Sequence, residues 1–249
     1  MVEKSRGGPQ LIPRPSDWQP GPPPAWAPAI GASRTASIKE IEGLLAPGLT
    51  PVLDHPDGPR VESLAAGPVP AHGSSGHSAV AVLFAPDPTA AAEETEVLLT
   101  RRSWNMRSHR GEVSFPGGTY EVGDRSAADT ALRETHEEVG VAPAFVTVVG
   151  QLGERSTFIS SRRIFPVVGL LQSRPSVQAE AAEVDAILHV GLTSLLHPDC
   201  YHSEIWQFGG QRRVMHFFDH EQDTIWGLTA VILAEVLGHV FRPSVAEAH

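Results

Sequence analysis

The distribution of apolar and polar residues along this chain predicts several strands, followed by helices that pack against them. Apolar runs rich in β-branched residues predict strands at 78–85, 95–102, 145–152, 164–171, 186–190 and 212–218. A longer, mostly apolar stretch at 224–241 predicts a helix that buries one broad face. Because the elements do not alternate as regular βαβ units, the pattern favours an α/β (α+β) fold with a mixed sheet between helices.

A proline-rich segment precedes these elements. Residues 7–28 are dense in proline and contain Trp18 and Trp26, a composition that excludes a helix or a central strand. The segment predicts an arm extended along the domain surface and docked through its tryptophans, and a ligand for another protein is the alternative. From Ser37, the run SIKEIEGLLAPG predicts a short capped helix ended by its Pro–Gly pair.

Composition and charge narrow the classes of function. The chain has 249 residues and a formal net charge of -10, which argues against a protein that binds nucleic acid through broad phosphate neutralisation. No apolar run reaches the length of a membrane helix, and the N-terminus lacks the apolar region of a secretory signal. The single cysteine, Cys200, cannot form an internal disulfide, so we expect a cytoplasmic protein without nucleic-acid or membrane partners.

The stretch RETHEEVG lies at the end of another predicted helix. Ser126 followed by Asp129 is a pattern that starts helices, and Gly140 suits the position just beyond a helix end. Small and apolar residues recur between them at helical spacing and predict a buried face. The opposite face then carries the charges of RETHEEVG.

Glu134, Glu137 and Glu138 converge on that charged face, and Arg133 lies one turn before Glu137. The backbone carbonyls at this end of the helix already carry partial negative charge, which costs about 0.3–1 kcal/mol per carboxylate. A solvated charged face is one explanation. A bound divalent cation is the other, because converging carboxylates repel each other unless a cation or proton is shared, and Mg²⁺ prefers oxygen ligands.

The segment GTYEVGDRSAADTALRETHEEVGV, from Gly118 to Val141, resembles the Nudix box, G-x5-E-x7-R-E-U-x-E-E-x-G-U, in which U is a bulky aliphatic residue. The chain departs from this pattern in three ways. Asp124 stands where the first glutamate is expected, Thr135 replaces an aliphatic residue, and one additional residue lies between Asp124 and Arg133. The acidic core of the motif is intact.

A second motif lies directly upstream. The run LLTRRSWNMRSHRGEVSFPGG, residues 98–118, resembles the signature L-L-T-x-R-[SA]-x3-R-x3-G-x3-F-P-G-G of the coenzyme A pyrophosphatase branch of the Nudix hydrolase superfamily. That branch also tends to carry the extended spacing inside the Nudix box. The flanking strands and the closing helix suit the Nudix fold, so we predict an extension at 1–75, a Nudix domain at 76–242 and a tail at 243–249.

The resemblance implies hydrolysis of the pyrophosphate of coenzyme A or its derivatives to 3′,5′-ADP and 4′-phosphopantetheine, with Mg²⁺ or Mn²⁺. It implies that Glu134 and Glu138 are the main metal ligands and that the carbonyl of Gly118 joins the metal shell. Glu137 is expected to share a second ion or to position water. Arg133 is expected to hold the carboxylates in place.

Three arginines of the upstream motif, Arg102, Arg107 and Arg110, are predicted to bind phosphate oxygens of the substrate. A guanidinium group offers paired donors that match such oxygens. A surface salt bridge is the alternative for each of them.

Several alternatives stay open at this point. One keeps the chemistry but changes the substrate to NADH, ADP-ribose or a nucleoside triphosphate, because a fold does not fix specificity. Another is a non-catalytic Nudix-fold module that binds a nucleotide, or binds a protein through the proline-rich arm. The general base is open between Glu134 and a residue of a distant loop, Glu180 or Glu183, and a homodimer is compatible with a docking arm.

Overall fold

The computed structural model describes residues 10–30, 35–52, 76–90, 93–156 and 162–241. In these ranges the chain forms three α-helices, α1 (Ile38–Leu45), α2 (Ala127–Val139) and α3 (Gly227–Val240). Its strands up to the middle of the chain are β1 (Gln19–Pro20), β2 (His77–Pro86), β3 (Thr95–Arg102), β4 (Val113–Ser114), β5 (Gly117–Thr119) and β6 (Val146–Gln151). The later strands are β7 (Arg155–Ser156), β8 (Arg163–Leu171), β9 (Val184–Gly191), β10 (Tyr201–Phe208), β11 (Gln211–His220) and β12 (Asp223–Ile225).

Eight strands form one mixed sheet, as the sequence predicts. The main path runs β4-β3-β2-β8-β6, with β5 and β2, β7 and β8, and β9 and β3 as further pairs. The central pair of β2 and β8 is parallel, and the other pairs are antiparallel. The strands predicted at 78–85, 95–102 and 164–171 are confirmed as β2, β3 and β8, because strands buried on both faces are apolar throughout.

The two faces of this sheet carry separate cores, and helices cover both, as predicted. Val82 and Phe84 of β2 point into the larger core, which also contains side chains of α1 and α3. Ala81 and Leu83 of the same strand point into the smaller core beneath α2. Side chains that alternate between two cores in this way fix α2 against one face of the sheet.

A second sheet, with the order β1-β10-β11-β12, covers part of the larger core. The strand predicted at 212–218 is its β11, whereas the sequence pattern does not predict β10, since polar residues interrupt the apolar ones in YHSEIWQF. The predicted start of the last helix is wrong. Residues 223–225 form β12, which pairs with β11, and Gly227, with a φ of 65° that suits glycine, turns the chain into α3.

The proline-rich arm docks on the domain, as its tryptophans predict. Trp26 is 2 % exposed and stacks on Phe218 with the ring centroids 6.1 Å apart. Trp18 packs against a small cluster formed by Trp206, Met215 and Phe217. Because large aromatic rings bury much apolar area, these contacts tie the arm to the second sheet.

The helix predicted from Ser37 is α1, which begins with a complete capping box between Ser37 and Glu40. Residues 1–9 and 53–75 and the predicted tail at 243–249 lie outside the described residues. The predicted division into an extension, a domain and a tail therefore stays a prediction. In the part of the chain that the structure describes, no helix has the length and apolar character needed to span a membrane.

Candidate active site

Helix α2 presents the predicted site, and its ends lie where the sequence indicates. The side chain of Ser126 accepts a hydrogen bond from the backbone N–H of Asp129 at 3.2 Å. Gly140 ends the helix with a φ of 76°, a conformation that glycine adopts without strain. Ala131 and Val139 are buried in the smaller core, which fixes the rotation of the helix about its axis.

The three glutamates of α2 are not equivalent. Glu138 is 5 % exposed, the side chain of Glu134 is 16 % exposed and that of Glu137 is 56 % exposed. Glu138 is therefore buried rather than solvated, and it lies near enough to Glu134 for the charge of Glu134 to raise its pKa. Its carboxylate accepts a hydrogen bond from the backbone N–H of Gly117 at 3.2 Å.

A distant loop compensates the negative end of α2. The backbone N–H of Gln178 donates to the carbonyl of Val139 at 2.9 Å, and that of Glu180 donates to the carbonyl of Glu138 at 2.9 Å. These are among the last carbonyls of the helix, which a helix end leaves without partners. The occupied carbonyls lower the cost of placing carboxylates at this end.

Arg133 holds the charged groups around it in fixed positions. Its guanidinium donates to both oxygens of Asp124, at 3.2 and 3.1 Å, to Glu137 at 3.1 Å and to Glu134 at 3.2 Å. It also donates to the carbonyl of Thr119 at 3.0 Å. Burial opposes the charge of Arg133, but its carboxylate partners outweigh burial and raise its pKa. This geometry supports a positioning role for Arg133.

Two departures from the Nudix box have a structural reason. Asp124 is buried and accepts hydrogen bonds from Arg133 and from the hydroxyl of Thr130, the latter at 2.8 Å. Burial opposes its charge, but these hydrogen bonds and one from the backbone outweigh burial and lower the pKa of Asp124. Thr135 is buried and donates its hydroxyl to the carbonyl of Ala131 at 2.6 Å. Asp124 thus supports Arg133, and the hydroxyl of Thr135 is satisfied within its helix.

Strand β5 brings two glycines against these carboxylates. A Cβ atom added to Gly118 would lie 2.4 Å from the carboxylate carbon of Glu134. A Cβ atom added to Gly117 would lie 2.3 Å from the carbonyl oxygen of Ala79, so β5 also packs tightly on β2. The missing side chains allow the backbone of Gly118 and the carboxylate of Glu134 to share one small space.

The electrostatics of the cluster favour a bound cation. Burial raises the pKa of Glu138 to about 7. A backbone N–H and the charge of Arg102 lower that pKa in part, while Glu134 and Glu183 raise it further. The pKa of Glu134 is also raised, chiefly by burial, although Arg133 partly offsets the effect. At neutral pH a proton or a cation stabilises such a pair of carboxylates.

A fourth carboxylate approaches the cluster from the loop that caps α2. The charge of Glu183 raises the pKa of both Glu134 and Glu138. The backbone carbonyl of Glu183 accepts a hydrogen bond from the N–H of Ser103 at 2.7 Å, which fixes the loop. This loop thus contributes the charge of Glu183, which acts on Glu134 and Glu138, and the backbone N–H of Glu180, which bonds to the end of α2.

The segment 102–112, here called the arginine loop, carries the three predicted substrate-binding arginines. The Nε atom of Arg102 is buried without a hydrogen-bond partner, and its Nη2 atom lies 3.0 Å from the sulfur of Met106. Arg107 is exposed. Arg110 is also exposed and donates to the carbonyl of Met106 at 2.6 Å. Arg102 is therefore the arginine whose charge acts on Glu138 and lowers the pKa of that carboxyl group.

The donor set fits a hard divalent cation. Within the described ranges, no group of three or more His, Cys, Asp or Glu side chains is arranged to hold a metal ion by itself. Mg²⁺ usually takes one or two protein carboxylates and completes its shell with water and substrate phosphate oxygens. Glu134, Glu138 and the carbonyl of Gly118 are oxygen ligands of that kind. The unpartnered Nε of Arg102 leaves a donor for a substrate oxygen.

Two contributors to this site are not evident as such from the sequence. Asp124 supports Arg133, and its place in the Nudix box was the only signal of a role. Ser103 belongs to the upstream signature, but it anchors the loop of Glu183 through its backbone N–H. A contact made by the backbone leaves no pattern of side chains in the sequence.

The raised pKa of Glu138 predicts that the stability of the metal-free protein falls as pH rises, whereas the stabilisation added by Mg²⁺ grows. Glu138 ionises near 4.5 in an unfolded chain but at about 7 in the folded protein. Because the folded protein binds more protons between these values, this group's contribution to stability falls by up to about 3 kcal/mol as pH rises through them. Mg²⁺ competes with that proton, so its stabilising effect should grow from about pH 5.5 to about pH 8.

Thermal unfolding across this pH range, with and without millimolar Mg²⁺, measures both effects. Glu138→Gln is the control variant, since it lacks the titrating carboxylate and should lose both the pH-dependent component and most of the Mg²⁺ response. A wild-type melting temperature that does not respond to Mg²⁺ at any pH would contradict a preformed cation site.

Buried carboxylates with raised pKa values, with the charge of Arg102 acting on Glu138, are a donor set typical of one class of protein, the metal-dependent hydrolases of phosphorus-containing anhydrides. The sequence profile of the NUDIX domain matches residues 77–206, more than half of the chain, and the chain belongs to the Nudix family. It is accordingly a Nudix pyrophosphohydrolase, and enzymes of this family generally need a divalent metal ion.

The chain is similar to several proteins named as Nudix hydrolases. It is 38 % identical over 166 residues to the uncharacterized Nudix hydrolase NudL of Photorhabdus laumondii. The matched region covers 66 % of this chain and 84 % of that protein. NudL of Escherichia coli K12 is 36 % identical over 161 residues, or 64 % of this chain and 81 % of that protein. Nudix hydrolase 22, chloroplastic, of Arabidopsis thaliana is 37 % identical over 157 residues, which are 60 % of this chain but only 51 % of that protein.

Solved structures of Nudix proteins match at lower similarity. The MutT/nudix family protein from Enterococcus faecalis is 17 % identical with a TM-score of 0.44, over 83 % of this chain and 75 % of that chain. RenU from M. smegmatis is 20 % identical with a TM-score of 0.40, over 49 % of this chain and 76 % of that chain. Membership of the family rests on the sequence match.

Proposed function

We propose that the protein hydrolyses the pyrophosphate of coenzyme A or its acyl derivatives, with Mg²⁺ or Mn²⁺, to 3′,5′-ADP and 4′-phosphopantetheine or its acyl form. The observation that carries this proposal is the placement of Arg102. This residue of the coenzyme A pyrophosphatase-like signature has a buried, unpartnered Nε atom and lies near enough to Glu138 to lower its pKa. A guanidinium donor beside carboxylates suited to a metal ion matches the oxygens of a diphosphate.

The proposed metal ligands are Glu134, Glu138 and the carbonyl of Gly118, with Glu137 sharing a second ion or positioning water. When bound, the metal ion polarises phosphoryl oxygens and lowers the pKa of the attacking water. Arg133 keeps Glu134 and Glu137 oriented through its hydrogen bonds to both. The side chains are thereby held in place before the substrate arrives, which preserves their electrostatic contribution.

The arginine loop is proposed to bind the diphosphate. Arg102 donates to an oxygen near the carboxylates, and Arg107, which is exposed, offsets charge on the outer part of the substrate. Arg110 has a smaller role, because its Nε atom already donates to Met106 of the same loop.

The attacking water must transfer a proton to a carboxylate, and two candidates follow from the geometry. Glu134 is one, since it lies against Gly118. Glu183 is the other, because its charge acts on both Glu134 and Glu138 while its backbone is held at Ser103. Glu180 suits the role less well, since its side chain accepts a hydrogen bond within its own turn, from Ala182 at 3.3 Å.

We also propose that the enzyme acts in the cytoplasm on a small-molecule substrate, without nucleic-acid or membrane partners. Its net charge of -10 and its single cysteine support this setting. The arm docks on its own chain through Trp26, and a homodimer stays compatible with that arrangement.

Arg102→Lys should lower kcat/KM for coenzyme A by about 10- to 100-fold, because a hydrogen bond to a charged group contributes about 1.5–3 kcal/mol. Lysine keeps the charge but lacks both the fork geometry and the Nε donor. Steady-state kinetics measure the effect. Arg125→Lys is the matched control, since Arg125 is exposed and pairs with Asp129 at the other end of α2. Unchanged kinetics in Arg102→Lys would remove Arg102 from the substrate site.

A substrate panel tests the proposal itself. The protein is incubated with Mg²⁺ or Mn²⁺ and with coenzyme A, an acyl derivative, NADH, ADP-ribose and nucleoside triphosphates, and kcat/KM is compared. The proposal predicts the highest value for coenzyme A or its acyl derivative. Rapid turnover of another compound with coenzyme A untouched would reassign the substrate. Binding of these compounds without turnover of any of them would favour a non-catalytic module.

A further inference from the structure

The proline-rich arm reaches the arginine loop, and we propose that Gln10 in this arm is a positioning residue for the substrate site. The arm lies outside the matched NUDIX region, which begins at residue 77. The identity of the substrate rests on the proposed function, whereas the contact between the arm and the arginine loop does not depend on it.

Gln10 bridges the arginine loop and the second sheet. Its Nε2 atom donates to the carbonyl of Gly111 at 2.5 Å. Its Oε1 atom accepts a hydrogen bond from the backbone N–H of Thr224 in β12 at 3.1 Å. Because one partner is an acceptor and the other a donor, the two ends of the amide cannot exchange places. One side chain therefore ties together segments that are distant in the sequence.

Gly111 is the point at which the arginine loop folds back on β3. Its N–H donates to the carbonyl of Arg102 at 3.1 Å, and the N–H of Arg102 donates to the carbonyl of Glu112 at 2.9 Å. Its φ of 65° and the ring of Trp104, which a Cβ atom would meet at 2.0 Å, both require glycine here. Gln10 thus donates to the carbonyl of Gly111, and the N–H of Gly111 donates in turn to the backbone carbonyl of Arg102.

The arm is anchored close behind Gln10. The Nε atom of Arg14 donates to Glu204 at 3.1 Å, and a second contact completes the ion pair. Glu204 is fully buried and also accepts a hydrogen bond from the indole N–H of Trp206 at 2.6 Å. The guanidinium of Arg14 lies 4.5 Å from the centroid of the Trp18 ring. A charge-assisted and buried anchor of this kind keeps Gln10 in register with the loop.

Gln10→Ala should raise KM for coenzyme A by about 3- to 10-fold, the effect of one lost hydrogen bond, and should leave kcat within about twofold. KM should change more than kcat because Gln10 supports the arginine loop, which is proposed to bind the substrate, whereas the carboxylates proposed for the chemical step lie on α2. Gln10→Glu keeps the shape and the acceptor for Thr224 but cannot donate to Gly111, so its KM should rise at least as much. Gln19→Ala is the matched control in the same arm, since its side chain contacts Arg212 on the outer surface.

Trypsin cleavage after Arg107 and Arg110, both exposed, gives a second readout that needs no substrate. Under native conditions, mass spectrometry should show cleavage about 3- to 10-fold faster in Gln10→Ala than in wild type or Gln19→Ala. Faster cleavage in a protein that does not hydrolyse coenzyme A would support the bridge and overturn the substrate assignment. Unchanged cleavage and unchanged KM in both Gln10 variants, or an equal effect of Gln19→Ala, would overturn the role of Gln10.

Discussion

Glu138→Gln should lower kcat for the diphosphate substrate by at least about 100-fold, the scale on which removal of one fixed electrostatic contact acts. Glutamine preserves the shape of the side chain but removes the negative charge that a divalent cation needs. Glu138 is also the most buried of the three α2 glutamates. Water therefore cannot readily take the place of this proposed ligand.

The fold should tolerate this change, because the metal-free wild type already holds a proton on Glu138 below its pKa of about 7. Steady-state kinetics and thermal unfolding should be measured together to separate loss of chemistry from loss of structure. Glu42→Gln provides a control, since Glu42 is exposed on α1. Near-normal activity of Glu138→Gln would exclude Glu138 from the metal site.

Gly118→Ala is expected to have a comparable effect, with a loss of activity of about 100-fold. The added Cβ atom would lie 2.4 Å from the carboxylate carbon of Glu134 and 2.4 and 2.5 Å from its two oxygens. Since these atoms are the far end of a flexible side chain, the carboxylate can move away and the fold can survive. Glu134 would then leave the place that it shares with the Gly118 backbone, and the Mg²⁺-induced rise in melting temperature should shrink.

Gly43→Ala is the matched control for that variant. A Cβ atom on Gly43 meets nothing within 4 Å, and this residue lies inside α1, where alanine stabilises a helix by about 0.5–1 kcal/mol relative to glycine. Its activity should be unchanged and its melting temperature slightly raised. Full activity in Gly118→Ala would show that Glu134 need not occupy its position against β5.

The sequence predicts those strands and helices whose structure is determined by residues close together in the chain. Strands β2, β3 and β8 lie between two cores, so their central residues are apolar on both faces and form recognisable runs. Helix α2 was predicted from its capping residues, because Ser126 and Gly140 act within one turn of the helix ends.

The second sheet depends on contacts between residues that are far apart in the sequence. Glu204 of β10 is fully buried, and its charge is compatible with burial because Arg14, from the other end of the chain, pairs with it. From the sequence alone, such a glutamate is expected at the surface, because the arginine that pairs with it is not known. The pattern of β10 therefore does not distinguish this strand from a loop.

The candidate site also combines a local residue pattern with contacts between residues that are far apart in the sequence. The proposed metal-binding pattern is local, since Arg133, Glu134, Glu137 and Glu138 occupy successive turns of one helix. The groups that complete it come from elsewhere: the loop around Glu180 caps the helix through backbone contacts, and Gln10 bonds to the arginine loop. The part of the electrostatic cost that comes from the helix end is reduced in the structure, because that loop occupies the carbonyls of Glu138 and Val139, whereas burial adds a cost of its own at Glu138.

The identity of the products formed from coenzyme A tests the proposed activity directly. Wild-type protein and Glu138→Gln are incubated with coenzyme A and Mg²⁺ or Mn²⁺, and the products are identified by mass. The wild type should yield 3′,5′-ADP and 4′-phosphopantetheine in equal amounts, and the variant should yield only traces of both. Intact coenzyme A under conditions in which the same preparation consumes NADH or a nucleoside triphosphate would contradict the proposed activity.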